Sequence, residues 1–434
     1  MYKTKMATQA TDPTPKSNTR SSRTPRTPRT QTQSQSPAPQ PPPQTSFATA
    51  SSTSVPSTST STSGSRHSAA GTAISEFRDS LPENPHIYSF SELCSATNNF
   101  LSNTYTSTSS TRSWRCTLRA KSVIVFERKF RREIETPQLR QRLSVICRSH
   151  HMSIIKLLGA SISGDHIYLV YDFVEGSNLA NCLRNPRNPN FTVLDTWISR
   201  MQIATDLAHG LDYIHNNTGL NISLVHNHIN SSSIIVPEPS FNAKLCHFGT
   251  AQLCGEIDED ENSKDKSKKA KEKLKRSNSQ KMQFQGVRGY MPPEFQATGI
   301  ATQKCDVYAF GVVILELLCG EEPLKLKYDK STGNFIRTSV IDTARAVIDD
   351  DDEGGGGREG RLRKWVDRRL NDSFPIDVAE KIVRLALDCV HVEADKRPNM
   401  GRVTGKISRL YLESRIWSDN VRMPPGISVS LAPR

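Results

Sequence analysis

Apolar positions are sparse and without period over residues 1–75, where Ser, Thr, Pro, Gln, Ala and basic residues dominate. Such a stretch buries too little apolar surface to offset its chain entropy, and a disordered tail is expected there. From Ile87 the pattern changes. Residues 114–126 end in the β-branched run Val123-Ile124-Val125-Phe126 and predict a strand, as does His166 to Phe173. Between them Thr136-Pro137 reads as an N-cap followed by proline at the first helical position, opening a helix to about Ser149. Apolar residues recur at helical spacing from Leu194 to His215, short strands follow at 233–236 and 243–246, and residues 306–319 and 376–391 read as core helices. The order implies an α+β chain with a small strand-rich lobe at about 88–171 and a larger helical lobe at about 174–415, followed by a short tail over 416–434.

Two charged inserts interrupt this pattern. Residues 256–285 run from an acidic block (Glu256 to Glu261) into a lysine-rich one (Lys264 to Arg276), and 349–360 is acidic and then Gly-rich. Both read as solvated loops. The lysine block is also a candidate nuclear address, and Ser277 and Ser279 beside Lys275-Arg276 are candidate phosphosites, as are Thr24 and Thr27 between arginines in the tail.

Composition narrows the function classes. Net charge is +13 over 434 residues, of which the first 75, with eight basic residues and Asp12, supply +7, leaving +6 for the rest. The folded part is only mildly basic, so no nucleic-acid partner is expected. The nine cysteines form no C-x-x-C pair, which argues against a zinc ribbon or a disulfide framework and points to a reducing compartment. The longest apolar run, Val307 to Cys319, carries Glu316 and is shorter than the roughly 20 residues of a membrane-crossing helix. No apolar signal region follows Met1, and Tyr2 excludes N-myristoylation. A cytoplasmic protein is expected; nuclear, peripheral-membrane and organelle-transit alternatives stay open.

Several strings in order and spacing then resemble the protein kinase fold, and within it plant receptor-like kinases, most nearly the intracellular domain of the LysM type. Phe90-Ser91-Glu92-Leu93 with Ala96-Thr97-Asn98-Asn99-Phe100 is similar to their juxtamembrane lead-in, and Leu169 to Phe173 to the hinge strand. Gly289 to Glu294 resembles the G-Y-x-A-P-E anchor, Asp306 to Gly311 the central helix of the large lobe, and Asp395-Lys396-Arg397-Pro398 its late arginine. The resemblance implies a buried ion pair between Glu294 and Arg397, and an Asp306 that holds the catalytic-loop backbone. It also implies a stacked hydrophobic column joining the lobes through His226 and Phe248, the latter followed by Gly249.

The chemistry does not follow the scaffold. Phosphoryl transfer needs backbone amides over the phosphates, a lysine on them, oxygen ligands for Mg²⁺ and an aspartate to accept the hydroxyl proton. Residues 101–116 contain no glycine where a glycine-rich loop should lie. The resemblance puts Phe126 at the lysine position and Arg142 at that of its helix glutamate, with Glu133 and Glu135 nearby. His228 stands for the base, Asn230 for the phosphate-steadying lysine, Ser233 for the metal-binding asparagine and His247 for the principal Mg²⁺ carboxylate. Ile124, Tyr171, Phe173 and Val174 are the nucleotide-pocket equivalents, Tyr171 as gatekeeper.

The expected function is accordingly a pseudokinase, a scaffold or allosteric partner of active receptor-like kinases or other signalling proteins, with no cofactor. The alternative is a Ser/Thr kinase with displaced residues, such as Lys121 or Lys129 on the phosphates, which would need ATP and Mg²⁺. A third reading gathers His226, His228 and His247 as a metal site; the expectation is no metal.

Overall fold

The computed structural model describes residues 85–108, 111–132, 134–187, 194–218, 224–237, 240–257, 286–329, 333–349 and 357–422. The candidate phosphosites Thr24, Thr27, Ser277 and Ser279, and Glu133, lie outside the described residues.

The small lobe is built on a sheet of β1 (His86–Ile87), β2 (Thr106–Thr108), β3 (Thr111–Leu118), β4 (Lys121–Lys129), β5 (Leu157–Ser163) and β6 (His166–Asp172), in the order β1-β5-β6-β4-β3-β2. Strands β3 and β4 join through Arg119-Ala120, both at positive φ, as a tight two-residue hairpin turn requires. Val123 to Phe126 is buried throughout because both faces of β4 are covered. Val123 and Val125 pack with Leu93 of helix α1 (Phe90–Ala96) and with Tyr168, while Ile124 and Phe126 face the main core. The juxtamembrane-like lead-in is thus a helix docked on the sheet, capped by Ser89, whose hydroxyl accepts from Glu92 N, and tied to the hairpin by Glu92 and Arg119 at 2.9 Å.

Helix α2 (Thr136–Arg148) packs on the opposite face through Leu139, Leu143 and Ile146. Its N-cap is Glu135 rather than Thr136, with proline inside the first turn. Extended backbone at the cap suits the residue that precedes such a start.

The large lobe centres on α4 (Trp197–Asp212), which follows the short α3 (Leu179–Arg184) and is capped by Thr196, and on the all-round buried α7 (Gln303–Cys319), preceded by α5 (Thr250–Leu253) and α6 (Pro293–Thr298). Beyond α7 come the hairpin Leu324–Asp329 with Asn334–Ser339, then α8 (Val340–Asp349), α9 (Gly357–Trp365), α10 (Ile376–Cys389) and α11 (Met400–Arg422). Two expected boundaries move. Helix α9 begins inside the stretch read as a Gly-rich loop, its Leu362 buried in the core. Helix α11 runs past 415 to Arg422, with Leu410 and Ser414 buried and the Trp197 indole donating to Ser414 Oγ at 2.8 Å.

Glu316, which interrupts the longest apolar run, is fully buried yet accepts from Tyr290 at 2.6 Å and Ser231 at 3.0 Å and pairs with Arg184 at 2.9 Å. Burial pushes its carboxyl up to about 7. A buried carboxylate is tolerated when its lone pairs are filled in this way.

Candidate functional site: the cleft between the lobes

The pair that the resemblance makes a buried one, Glu294 and Arg397, is buried on the arginine side only, with the Glu294 side chain 31 % exposed. Arg397 is fully buried and grips Glu294 with two bonds, Nη1 to Oε1 at 2.5 Å and Nη2 to Oε2 at 2.8 Å, while Nε donates to His391 O. Asp306 accepts from the backbone N–H of His226 at 2.7 Å and of Asn227 at 2.8 Å, and His215 approaches it at 2.9 Å from a π-helical turn after α4. Phe248 is buried in the main core. Gly249 follows at φ +83°, and a Cβ there would meet Ile146 of α2 at 2.5 Å, so backbone and helix approach too closely for any side chain.

Strand alternation decides what enters the cleft. Positions 124, 126 and 128 share one face of β4, and 121, 123, 125, 127 and 129 the other. Phe126 therefore points into the cleft, its ring edge-on to His247 at 4.6 Å and to Tyr171 at 5.8 Å. The alternative lysines do not join it. Lys129 pairs with Asp165 on the surface at 2.8 Å, and Lys121 is exposed beside the hairpin turn. The basic residue that does share the face is Arg128, only 7 % exposed, whose Nη1 donates to Thr111 Oγ1 at 2.5 Å. Reading by motif passed over it, since it stands two places beyond the lysine position; the period of two singles it out.

Tyr171 is fully buried at the back of the cleft. Its hydroxyl donates to Phe248 O at 2.9 Å and meets Thr250 Oγ1 at 3.0 Å, tying the hinge strand to the His247-Phe248-Gly249 turn. Burial raises its ionisation well above the ordinary phenol value, so the donor stays protonated. Arg142 turns along the lobe interface, where Nη1 donates to Gln252 O at 3.0 Å.

At the hinge, the Phe173 N–H donates to Ser122 O at 3.2 Å. The Arg115 guanidinium lies 3.8 Å from the Phe173 ring centroid, and Tyr105 meets that ring edge-on at 5.9 Å. Val174 is half-buried against the main core. The Phe173 ring is thus covered by the chain's own side chains.

The loop His226 to Ser233 spends its polar groups on itself. Asn230 Oδ1 accepts from Ser232 N and Ser233 N at 3.0 and 3.1 Å, while Ser233 Oγ accepts from Asn230 N and donates to His228 O at 2.6 Å. Asn230 and Ser233 therefore form a capping box over a 3₁₀ turn. His228 lies 3.0 Å from Glu256, which also accepts from Asn227 Nδ2 at 2.9 Å. This corrects the reading of Glu256 as the start of a solvated acidic loop. Its side chain is only 9 % exposed, and although desolvation raises its carboxyl, His228, Asn227 and Arg128 outweigh that and hold it down at about 2. Burial drives His226 down to about 4; burial, with Arg128 and the neighbouring histidines, holds His247 well below its ordinary value, so both rings are neutral at pH 7.

These donors do not assemble a site for a hard divalent ion. His228 and His247 present nitrogen where carboxylate oxygen is wanted, Ser233 is engaged, and Glu256 is held by its own donors. The three-histidine alternative also lacks convergence. The His228 and His247 ring centroids are 6.1 Å apart, His226 Nδ1 faces His228 N, and among the described residues no three His, Cys, Asp or Glu side chains form a metal-holding group.

A cavity of about 580 Å³ remains in front of these residues, lined by Thr111, Phe126 and Arg128 from the small lobe and by His228, Asn230 and His247 among others from the large one. The hinge residues Phe173 and Val174 are not on its wall. Among the described residues no helix is long and apolar enough to cross a membrane.

Comparison with known proteins agrees with this architecture. The protein kinase domain matches residues 116–406. LysM domain receptor-like kinase 3 of Arabidopsis thaliana is 32 % identical over 283 residues, 65 % of this chain and 40 % of that protein. Chitin elicitor receptor kinase 1 of the same plant is 32 % identical over 282 residues, 64 % of this chain and 39 % of that protein. The chain thus spans about two fifths of the length of these relatives. Among solved structures, the pseudokinase domain of BIR2, described as an immune regulator of the RLK/Pelle family, superposes with a TM-score of 0.55 at 22 % identity, covering 80 % of this chain and 97 % of that one. Sheet and sequence likeness converge: the chain belongs to the protein kinase family, and the relatives it resembles here are plant receptor-like kinases.

Proposed function

We propose that this chain is a catalytically inactive member of its family and works by binding, as a scaffold or allosteric partner in cytoplasmic receptor-kinase signalling. The observation that carries the reading is the use already made of each group phosphoryl transfer would need. Phe126 fills the lysine position and packs on His247, Asn230 and Ser233 cap their own turn, His228 is paired with Glu256, and Arg142 holds a backbone carbonyl. Each such group contributes several kcal/mol to transition-state stabilisation in a working kinase, and one relocated residue does not replace them all. Nucleotide and Mg²⁺ are therefore not part of the proposed activity. The maintained Glu294–Arg397 and Asp306 anchors support a surface kept in shape for partners, active receptor-like kinases foremost.

The test is the melting temperature of the full chain with millimolar ATP, in Mg²⁺ and in chelator. Ligand binding to the native state raises it by mass action. The reading predicts that Mg²⁺ adds nothing to any effect of the nucleotide. A rise that requires Mg²⁺ would establish a metal-nucleotide site and overturn it.

A further inference from the structure

A working kinase cleft is rich in carboxylates and needs Mg²⁺ to accept phosphates; here an arginine, Arg128, and the ring of His247 line the cavity together with Asp306. Arg128 lies more than nine-tenths buried on the cavity wall, and its Nε has no hydrogen-bond partner. Its Nη1 donates to the neutral hydroxyl of Thr111, and among the described residues no carboxylate forms an ion pair with it. Two acids near it take their hydrogen bonds from other groups, Glu256 from His228 and Asn227 and Asp306 from two backbone amides and His215, so Arg128 meets Glu256 only through its field. His247 lines the same cavity and is neutral and buried with Nδ1 unpartnered. A buried guanidinium is stable only with hydrogen-bonded counter-charge, and its planar fork suits a tetrahedral oxyanion.

We propose that the phosphate end of the cleft is a metal-free anion site, which takes a phosphoryl or polyphosphate group on Arg128, with Thr111 and His247 as further donors. The inference rests on the reading that the cleft holds no magnesium site. It goes further by naming what the remaining cavity takes. Because the Phe173 N–H is engaged with Ser122, Arg115 covers the Phe173 ring and the hinge residues are off the cavity wall, the proposed site reads the phosphates and not the nucleoside.

The experiment titrates the full chain in chelator with inorganic phosphate, pyrophosphate, tripolyphosphate and ATP, at ionic strength fixed with chloride, following melting temperature and heat of binding. Polyphosphate should raise the melting temperature by about 5 °C at a concentration 100-fold above Kd, and ATP should bind no tighter than tripolyphosphate. Arg128→Met should abolish the shift and Arg128→Lys retain part of it. His247→Asp, which leaves Arg128 in place but adds a negative charge opposite it, should weaken binding at least tenfold. No shift beyond the chloride control, an unchanged shift in Arg128→Met or His247→Asp, or ATP clearly tighter than tripolyphosphate would overturn the proposal. A phosphotransfer assay tests the inactive reading separately, so the two fail independently.

Discussion

Replacing Phe126 by lysine restores the residue type phosphoryl transfer calls for, yet the structure predicts a loss rather than a gain. Phe126 is 8 % exposed and packs on His247, Tyr171 and the α2 face. Full truncation of a buried phenylalanine costs about 3–5 kcal/mol, of which a lysine stem recovers part. The ammonium then enters a site whose near neighbours are Arg128, two residues along the same face, and a neutral His247. An unpaired buried charge adds several kcal/mol before relaxation. The net expectation is about 4 kcal/mol of destabilisation. With a urea slope of about 3 kcal/mol/M for a domain of this size, the midpoint should fall by more than 1 M at unchanged slope. Phe126→Leu, which carries only the packing change, should lose about 1–2 kcal/mol. Adding His247→Asp to Phe126→Lys should recover at least about 1 kcal/mol, because the new pair couples. A Phe126→Lys protein as stable as Phe126→Leu, or one that gains Mg²⁺-dependent nucleotide binding unaided, would refute the reasoning.

Three further outcomes follow from the geometry. Tyr171→Phe removes the hydroxyl bonded to Phe248 O and Thr250, and should cost about 1–2 kcal/mol by urea unfolding and speed amide exchange over residues 248–254. Arg397→Met leaves Glu294 without its two bonds and strands the carbonyl of His391; a loss of about 3–5 kcal/mol is expected, and a change below about 1 kcal/mol would remove this pair from the anchors. Glu256 is held at about 2 against an ordinary 4.5, so it stabilises the fold fully above pH 4.5 and progressively less as pH falls toward 2. Its share is about 3 kcal/mol, and Glu256→Gln should flatten the acid limb of stability against pH, whereas an unchanged limb would contradict the buried pairing.

Much of this was legible in the sequence because it resides in local strings. The run Val123 to Phe126 predicts a strand, and Asp306, Glu294 and Arg397 stand in motifs with fixed neighbours. What escaped reading depends on three-dimensional satisfaction. Glu256 opens a run of acids that composition marks as solvated, yet its side chain is largely covered because Asn227 and His228 converge on it from another segment. Asn230 and Ser233 resemble degraded functional positions, but their spacing of three is equally that of a capping box, and the backbone uses them so. Arg128 was visible only to the period of the strand. The ends of α9 and α11 depended on tertiary burial of Leu362, Leu410 and Ser414, which no local signal encodes.

The most direct test of the inactive reading is transfer of labelled γ-phosphate from Mg²⁺-ATP by the purified full chain, to itself and to a general basic protein substrate, beside an active receptor-like kinase under the same conditions. The account predicts no incorporation above that of a heat-denatured control. Incorporation that requires Mg²⁺ and is lost in Arg128→Met would contradict it and make the cleft a rearranged catalytic site.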